Sequence, residues 1–184
     1  MNIPAPFCYN FKKIKAIVLG ADPSNFSDKG KTKNLTKAFG IGDGDARYFQ
    51  SILKNLKEIG LGLEDIYVDN LIHDYLDSET SRNKEWYIVD KENIPCCLRR
   101  LDKVDERRKI PVLITAEAIY KVISKARLFT AEQFYQEVAI PVSPSDNELK
   151  RPVIPFYRHQ NYSIEKWGRY QQKIKEILNS IQHS

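Results

Sequence analysis

Four short runs of apolar residues, rich in valine, isoleucine and leucine, constrain the fold of this chain more than any other feature. They lie at 14–19, 65–72, 111–115 and 151–157. Runs of this length without strict polar alternation are typical of strands that are buried on both faces, as in a parallel sheet. The sequence therefore predicts four parallel strands.

The segments between these runs carry helical spacing, which favours helical crossovers between parallel strands. The predicted helices cover 46–59, 95–108, 116–126 and a last amphipathic segment after Ser163. Pro95 would lie in the first turn of its helix, and Ser163 would cap the last one. The acid-rich segment 73–92 is expected to cross the surface, whereas 127–150 is ambiguous between helix and strand.

Strands that alternate with helices predict an α/β fold, here a three-layer α/β/α sandwich around a central four-stranded parallel sheet. No repeat or linker interrupts the chain, so residues 1–184 are predicted to form a single domain. No apolar run approaches the roughly 20 residues needed to cross a bilayer. The lysines of 12–15 follow the apolar N-terminal residues, which is the wrong order for a secretory signal. We expect a cytoplasmic monomer without a membrane partner.

The cysteines argue against a metal or cluster cofactor. The chain has three of them, Cys8, Cys96 and Cys97, and no C-x-x-C pair. This is too few thiolates for a zinc cage of cysteines or an iron–sulfur cluster. We expect reduced thiols and no cofactor.

The positive charge of the chain is concentrated at its two ends. Residues 1–40 and 151–184 carry net charges of +5 and +4, whereas 41–98 carry −6. If the fold brings the ends together, they would form one basic face suited to a polyanion such as DNA. Solvated surface lysines are the other interpretation of the same pattern.

Polar side chains follow the predicted strands, where α/β folds place their functional residues. Asp22 lies where the chain leaves the first strand, Asn70 near the end of the second, and His159 after the fourth. Phe39 supplies an aromatic face in the long loop 20–45, a length that is usually functional. Each residue also has an ordinary structural interpretation, as a turn carboxylate, a backbone partner, an exposed histidine and a core phenylalanine.

In this order and spacing, the residues resemble the uracil-DNA glycosylase superfamily. The family's first motif reads Gly-Gln-Asp-Pro-Tyr-His in its best-known branch, and Gly20 to Asn25 is similar to it at Gly20, Asp22 and Pro23. Residues 52–71 are similar to the segment that leads to the family's base-reading Asn, and 112–118 resemble the strand and helix before its last motif. Arg158 to Asn161 stand where the family has His-Pro-Ser.

Two departures from the family pattern bear on activity. Ser24 replaces the Tyr that excludes a thymine methyl in the best-known branch, which implies looser base selectivity. Gln160 and Asn161 replace Pro and Ser, and this change affects the expected phosphate grip. The branches with an iron–sulfur cluster need four cysteines, so the resemblance does not extend to them.

The resemblance implies a DNA glycosylase that flips a damaged base out of DNA and hydrolyses its N-glycosidic bond, the first step of base excision repair. The base would be uracil or another deaminated base. Asp22 would orient the attacking water and stabilise the electron-poor sugar, and His159 would donate a hydrogen bond to O2 of the departing base. The base itself would contact Asn70, Phe39, Ser24, Ala21 and Phe26.

The DNA backbone would meet basic and polar side chains near this pocket. The candidates for phosphate contacts are Lys29, Lys31, Arg158, Asn161 and Arg169, and Tyr162 could fill the space left by the flipped base. Two other functions stay open. The altered His-Gln-Asn segment would fit a catalytically inactive nucleic-acid-binding module on the same fold. A small-molecule nucleotide enzyme is the third interpretation, although it explains the charge less well.

Overall fold

A five-stranded mixed sheet lies at the centre of the computed structural model, which describes residues 3–23, 34–43, 47–76, 86–126 and 128–182. Its strands are β1 (Phe7–Cys8), β2 (Ala16–Gly20), β3 (Ile66–Asn70), β4 (Val112–Ile114) and β5 (Val153–Pro155). They lie side by side in the order β1-β3-β2-β4-β5. The α/β class and the four predicted strand regions are confirmed.

The predicted four-stranded parallel sheet needs one correction. β2 runs parallel to β3 and β4, and β4 runs parallel to β5. The fifth strand, β1, is antiparallel to β3, with Phe7 opposite Val68. The sequence pattern missed β1 because two residues are too few to show a period. Phe7 is nevertheless buried, so this short strand contributes to the core.

The four longer strands are buried at every position, as their apolar sequences require. β2 lies between β3 and β4, and its residues from Ala16 to Leu19 have no exposed surface. Because β2 to β5 are mutually parallel, their carboxyl ends lie along one edge of the sheet. We call this the carboxyl edge, and the opposite side of the sheet the amino edge.

The helices are α1 (Arg47–Glu58), α2 (Trp86–Val104), α3 (Glu117–Ile123), α4 (Ala131–Glu137) and α5 (Gly168–Gln182). The prediction that a helix starts at Pro95 was wrong, because α2 begins nine residues earlier and contains Pro95 in its interior. Trp86, Ile94, Cys97 and Leu101 are all buried. Their spacing forms one apolar helix face, and its packing outweighs the backbone hydrogen bond that a proline cannot make.

The C-terminal helix also begins later than predicted. Ser163 precedes a short 3-10 helix, Ile164–Lys166, and makes no side-chain capping bond to it. Its hydroxyl instead contacts Glu165, and α5 starts at Gly168. α4 settles the ambiguous segment 127–150 as helical over Ala131–Glu137. None of the helices in the described part of the chain is both long and apolar enough to span a bilayer.

Candidate functional site

Gly20 ends β2 at the carboxyl edge, directly beside Asn70 on β3. A Cβ atom added at Gly20 would overlap the Oδ1 atom of Asn70, and it would lie 2.6 and 2.8 Å from two ring carbons of Phe39. The missing side chain therefore leaves room for an amide and an aromatic ring to meet over the end of the strand. This is the position where the sequence predicted a base-binding pocket.

Phe39 is held in this position by an uncommon backbone conformation. It lies in the 3-10 turn Ala38–Gly40 with φ 59° and ψ 11°, a left-handed conformation that a bulky residue rarely adopts. The Ala38 N–H donates to the Ala5 carbonyl at 2.8 Å, and the Phe39 ring packs 5.6 Å from that of Phe49. Backbone strain of this kind is typical of functional sites, where surrounding contacts maintain it.

Asp22 follows the same strand by two residues. The parallel pairing of β2 with β3 continues past the strand ends, because Leu71 and Ile72 donate backbone hydrogen bonds to Gly20 and Ala21 at 2.8 and 2.9 Å. Asp22 is partly buried, and its Oδ2 accepts a hydrogen bond from the indole nitrogen of Trp86 at 3.3 Å. The buried first residue of α2 thus fixes the carboxylate next to Gly20.

His159 reaches the carboxyl edge from β5. Its backbone neighbour Arg158 donates to the Thr115 carbonyl at 3.3 Å, and Thr115 donates to the Leu19 carbonyl through both N and Oγ1 at 3.1 Å. The exposed His159 ring accepts a hydrogen bond at Nδ1 from the Asn161 N–H, 3.3 Å away. Because Nδ1 accepts, the neutral ring carries its proton on Nε2, which becomes the donor for an external group.

The other predicted site residues are distributed as follows. Ala21 adjoins the Gly20 position, and Asn161 is exposed in the short helix after His159. Tyr162 is half-buried, with its ring 4.9 Å from Tyr135 and 6.2 Å from His159. Arg169 instead lines a groove at the start of α5 with Val138 and Lys173, where no other candidate lies. Ser24, Phe26, Lys29 and Lys31 lie outside the described residues.

A buried ion cluster beside Asn70 escaped the sequence analysis. The Asp69 carboxylate is 1% exposed, and it accepts hydrogen bonds from His73 Nε2 at 2.7 Å and Arg100 Nε at 2.9 Å. It also accepts the N–H of Asn70 at 2.8 Å. Nη2 of Arg100 then donates to the Asn70 and Leu71 carbonyls at 2.6 and 3.3 Å. The cluster therefore fixes the backbone of Asn70.

The charges in this cluster determine the protonation of Asp69. Burial alone would raise the pKa of its carboxyl group. The hydrogen bond from His73 and the positive charge of Arg100 outweigh burial and hold the pKa of Asp69 below its usual range. An aspartate inside an apolar strand run was the available signal, because a buried carboxylate needs a partner.

The segment that carries His159 rests on buried tyrosines. The Tyr135 hydroxyl accepts the Tyr157 N–H at 3.0 Å, and the Tyr170 hydroxyl donates to the Pro155 carbonyl at 2.6 Å. The rings of Tyr135 and Tyr170 stack with centroids 4.2 Å apart. Burial raises the pKa of the phenols of Tyr135, Tyr157 and Tyr170, so they stay neutral, and the hydroxyls of Tyr135 and Tyr170 support the segment through hydrogen bonds.

The arrangement places an amide, an aromatic ring, a carboxylate and an imidazole at the same edge of the sheet. Among the described residues, no group of three His, Cys, Asp or Glu side chains is placed to hold a metal ion. The sequence matches no protein-family model and no curated protein.

Proposed function

We propose that this chain is a DNA N-glycosylase of the uracil-DNA glycosylase superfamily, with the three-layer α/β/α architecture of that fold. It hydrolyses the bond between deoxyribose and uracil, or another deaminated base, in DNA. The observation that carries this proposal is the convergence of the Asn70 amide and the Phe39 ring over Gly20. Asn70 and Phe39 belong to separate segments of the chain, and Asp22 follows Gly20 by two residues.

A nucleobase has a flat face and a hydrogen-bonding edge, and the carboxyl edge offers a partner for each. The half-buried Phe39 ring supplies a surface for stacking. The Asn70 amide can donate to a base oxygen and accept from a ring N–H at the same time. The cluster around Asp69 holds the Asn70 backbone, so the amide is positioned before the base arrives.

Opposite charges develop on the sugar and the base in the transition state of bond cleavage. As the C–N bond lengthens, the sugar becomes electron-poor, and a nearby carboxylate stabilises it and orients the attacking water. Asp22 has this role in the proposal, and the indole of Trp86 holds it in place. The departing base becomes anionic and needs a donor at its oxygen. Nε2–H of His159 supplies that hydrogen bond.

The test uses labelled oligonucleotides that carry uracil, hypoxanthine or a mismatched base, followed by alkali to break abasic sites. We expect strand breaks with the wild-type protein and their loss in Asp22→Asn and His159→Ala. Asp74→Asn is the matched control for the aspartate, because Asp74 is exposed and belongs to a different segment.

Three results would contradict the proposal. Salt-sensitive binding of every oligonucleotide without any abasic product would identify a binding module instead. Neither binding nor product would favour an enzyme that acts on small nucleotides. Strand breaks that persist at full rate in both variants would assign the chemistry to other residues.

A further inference from the structure

A strip of exposed aromatic and basic residues runs along β1, the outermost strand on one side of the sheet. Tyr9 and Phe11 are 68% and 65% exposed, unusual values for large hydrophobic side chains. Lys12, Lys13 and Lys37 are exposed as well. We call these five residues the edge strip; the functions derived above use none of them.

The edge strip begins beside the candidate base pocket. Ala5 donates to the Thr36 carbonyl at 3.0 Å and accepts from the Ala38 N–H at 2.8 Å, next to Phe39. The chain then passes through β1, antiparallel to β3, and turns at 9–13 near the amino edge. Since β1 runs from the carboxyl edge toward the amino edge, the strip leads away from the pocket along this strand.

Its side chains are in contact along this path. The ammonium group of Lys37 lies 5.4 Å from the centre of the Phe7 ring, and Tyr9 packs edge-on against that ring at 5.0 Å. Phe11 lies 6.2 Å from the Tyr67 ring. Since Tyr67 pairs with Cys8, its side chain points to the face opposite Phe7. The two exposed rings therefore lie on either side of the edge strand.

Lys12 and Lys13 are exposed in the turn 9–13. The Asn10 side chain accepts the Lys12 N–H and the Asn10 carbonyl accepts the Lys13 N–H, both at 3.0 Å. Neither lysine forms an ion pair with any residue that the structure describes. Asp65 and Asp43 lie within electrostatic range of Lys13 and Lys37, but all three lysines of the strip stay exposed. The edge strip thus combines exposed positive charge with exposed aromatic faces, the two features by which proteins bind single-stranded nucleic acids.

We propose that the edge strip binds single-stranded DNA that flanks the target base, with Tyr9 and Phe11 stacking on bases and the lysines contacting phosphates. This inference rests on the proposed function, because it takes DNA as the substrate. A single strand is the matching partner since its bases expose their faces, whereas a duplex covers them. The flipped base would occupy the pocket at Phe39, and the adjoining nucleotides would follow the strip.

The experiment measures fluorescence anisotropy of a labelled, undamaged single-stranded 15-mer DNA across a range of salt concentrations. We expect Tyr9→Ala to weaken binding about fivefold or more at every salt concentration, because the variant loses one base-stacking contact. Tyr9→Trp should keep the affinity. Lys12→Gln with Lys13→Gln should reduce the slope of log affinity against log salt by about 1.4, the value for two phosphate contacts on a single strand.

Matched controls are available elsewhere on the surface. Ile88 and Leu128 are exposed apolar residues at 66% and 52%, and their alanine variants should bind like the wild type. Lys57→Gln with Lys103→Gln removes the same charge from exposed positions in other elements and should leave the salt slope nearly unchanged.

Unchanged binding in Tyr9→Ala and in the double lysine variant would overturn the inference and leave the strip to a protein partner. Equal losses on duplex and single strand would also overturn it, because stacking would then play no part. Undamaged DNA keeps this test separate from the proposed function. A protein that binds through the strip and excises nothing would refute the glycosylase and retain the strip.

Discussion

A methyl group at position 20 would occupy the space where Asn70 and Phe39 meet, so Gly20→Ala tests the pocket with the smallest possible change. The added Cβ would lie 2.6 Å from the Phe39 ring, and the ring or the amide would have to move. A displacement of about 1 Å costs roughly a hundredfold in rate. We expect kcat/KM for uracil excision to fall by about that factor.

The same substitution at Gly168 is the control. A Cβ there meets no atom within 4 Å, so Gly168→Ala should excise normally. Circular dichroism would show whether Gly20→Ala remains folded, since overpacking of this kind costs about 1–3 kcal/mol. A folded Gly20→Ala protein with wild-type activity would show that Asn70 and Phe39 do not form the base pocket.

In the proposed mechanism, Arg100 is a positioning residue that acts through Asn70. It links the Asp69 carboxylate to the Asn70 carbonyl, and lysine cannot make both contacts from one ammonium group. We expect Arg100→Lys to lower kcat/KM about tenfold while the neighbouring exposed Arg99→Lys has no effect. If Arg100 acts through Asn70, Arg100→Lys should add no further loss in an Asn70→Ala background. Additive losses would contradict this coupling.

At the scale of whole elements, the strands that carry the site were predictable, but the elements that fix the site were not. Continuous apolar runs predict buried parallel strands. The ends of these runs then identify Asp22, Asn70 and His159 as candidate site residues. The sequence did not indicate that α2 begins at Trp86, because a proline such as Pro95 usually lies in the first turn of a helix. One hydrogen-bond donor to Asp22 and one to Asp69 lie on α2, at Trp86 and Arg100.

The contact between α2 and β3 predicts acid sensitivity. In the folded protein the pKa of Asp69 is held below the value of about 3.9 for an unfolded aspartate. Its ionised form therefore stabilises the fold above about pH 4, and this contribution is lost as the pH falls through the lower, folded-state pKa. We expect the free energy of unfolding in urea to decrease below about pH 4.

Asp69→Asn should remove part of this pH dependence. It leaves Arg100 without its buried partner, so we expect a loss of about 3 kcal/mol at pH 7 and a shallower decline in acid. Asp74→Asn, at an exposed position four residues from Asn70, should retain the wild-type profile. Identical acid profiles for Asp69→Asn and the wild type would mean that other carboxylates determine the acid limit.

Across the whole molecule, the two edges of the sheet carry different kinds of polar chemistry. At the carboxyl edge, the Asn70 amide and the Phe39 ring meet over Gly20. At the amino edge, apart from the exposed turn 9–13, several opposite charges are paired across the fold, as in the 2.8 Å ion pair of Lys15 with Asp65. Sequence patterns could locate the strand ends but could not show which opposite charges meet across the fold.

A substitution at Arg151 can separate the contribution of the amino edge to stability from the proposed activity at the carboxyl edge. Its side chain has no exposed surface, and it forms ion pairs of 2.8 Å with Asp102 and Asp105, which join the end of α2 to the start of β5 at the amino edge. Removing one partner of a buried pair costs about 3–5 kcal/mol, so Arg151→Ala should lower the unfolding free energy by that amount. Because the carboxyl edge is untouched, kcat/KM per folded molecule should equal that of the wild type.

The exposed Arg107→Ala should change neither the unfolding free energy nor kcat/KM. A fall in kcat/KM for fully folded Arg151→Ala would show that the amino-edge ion pairs also shape the base pocket.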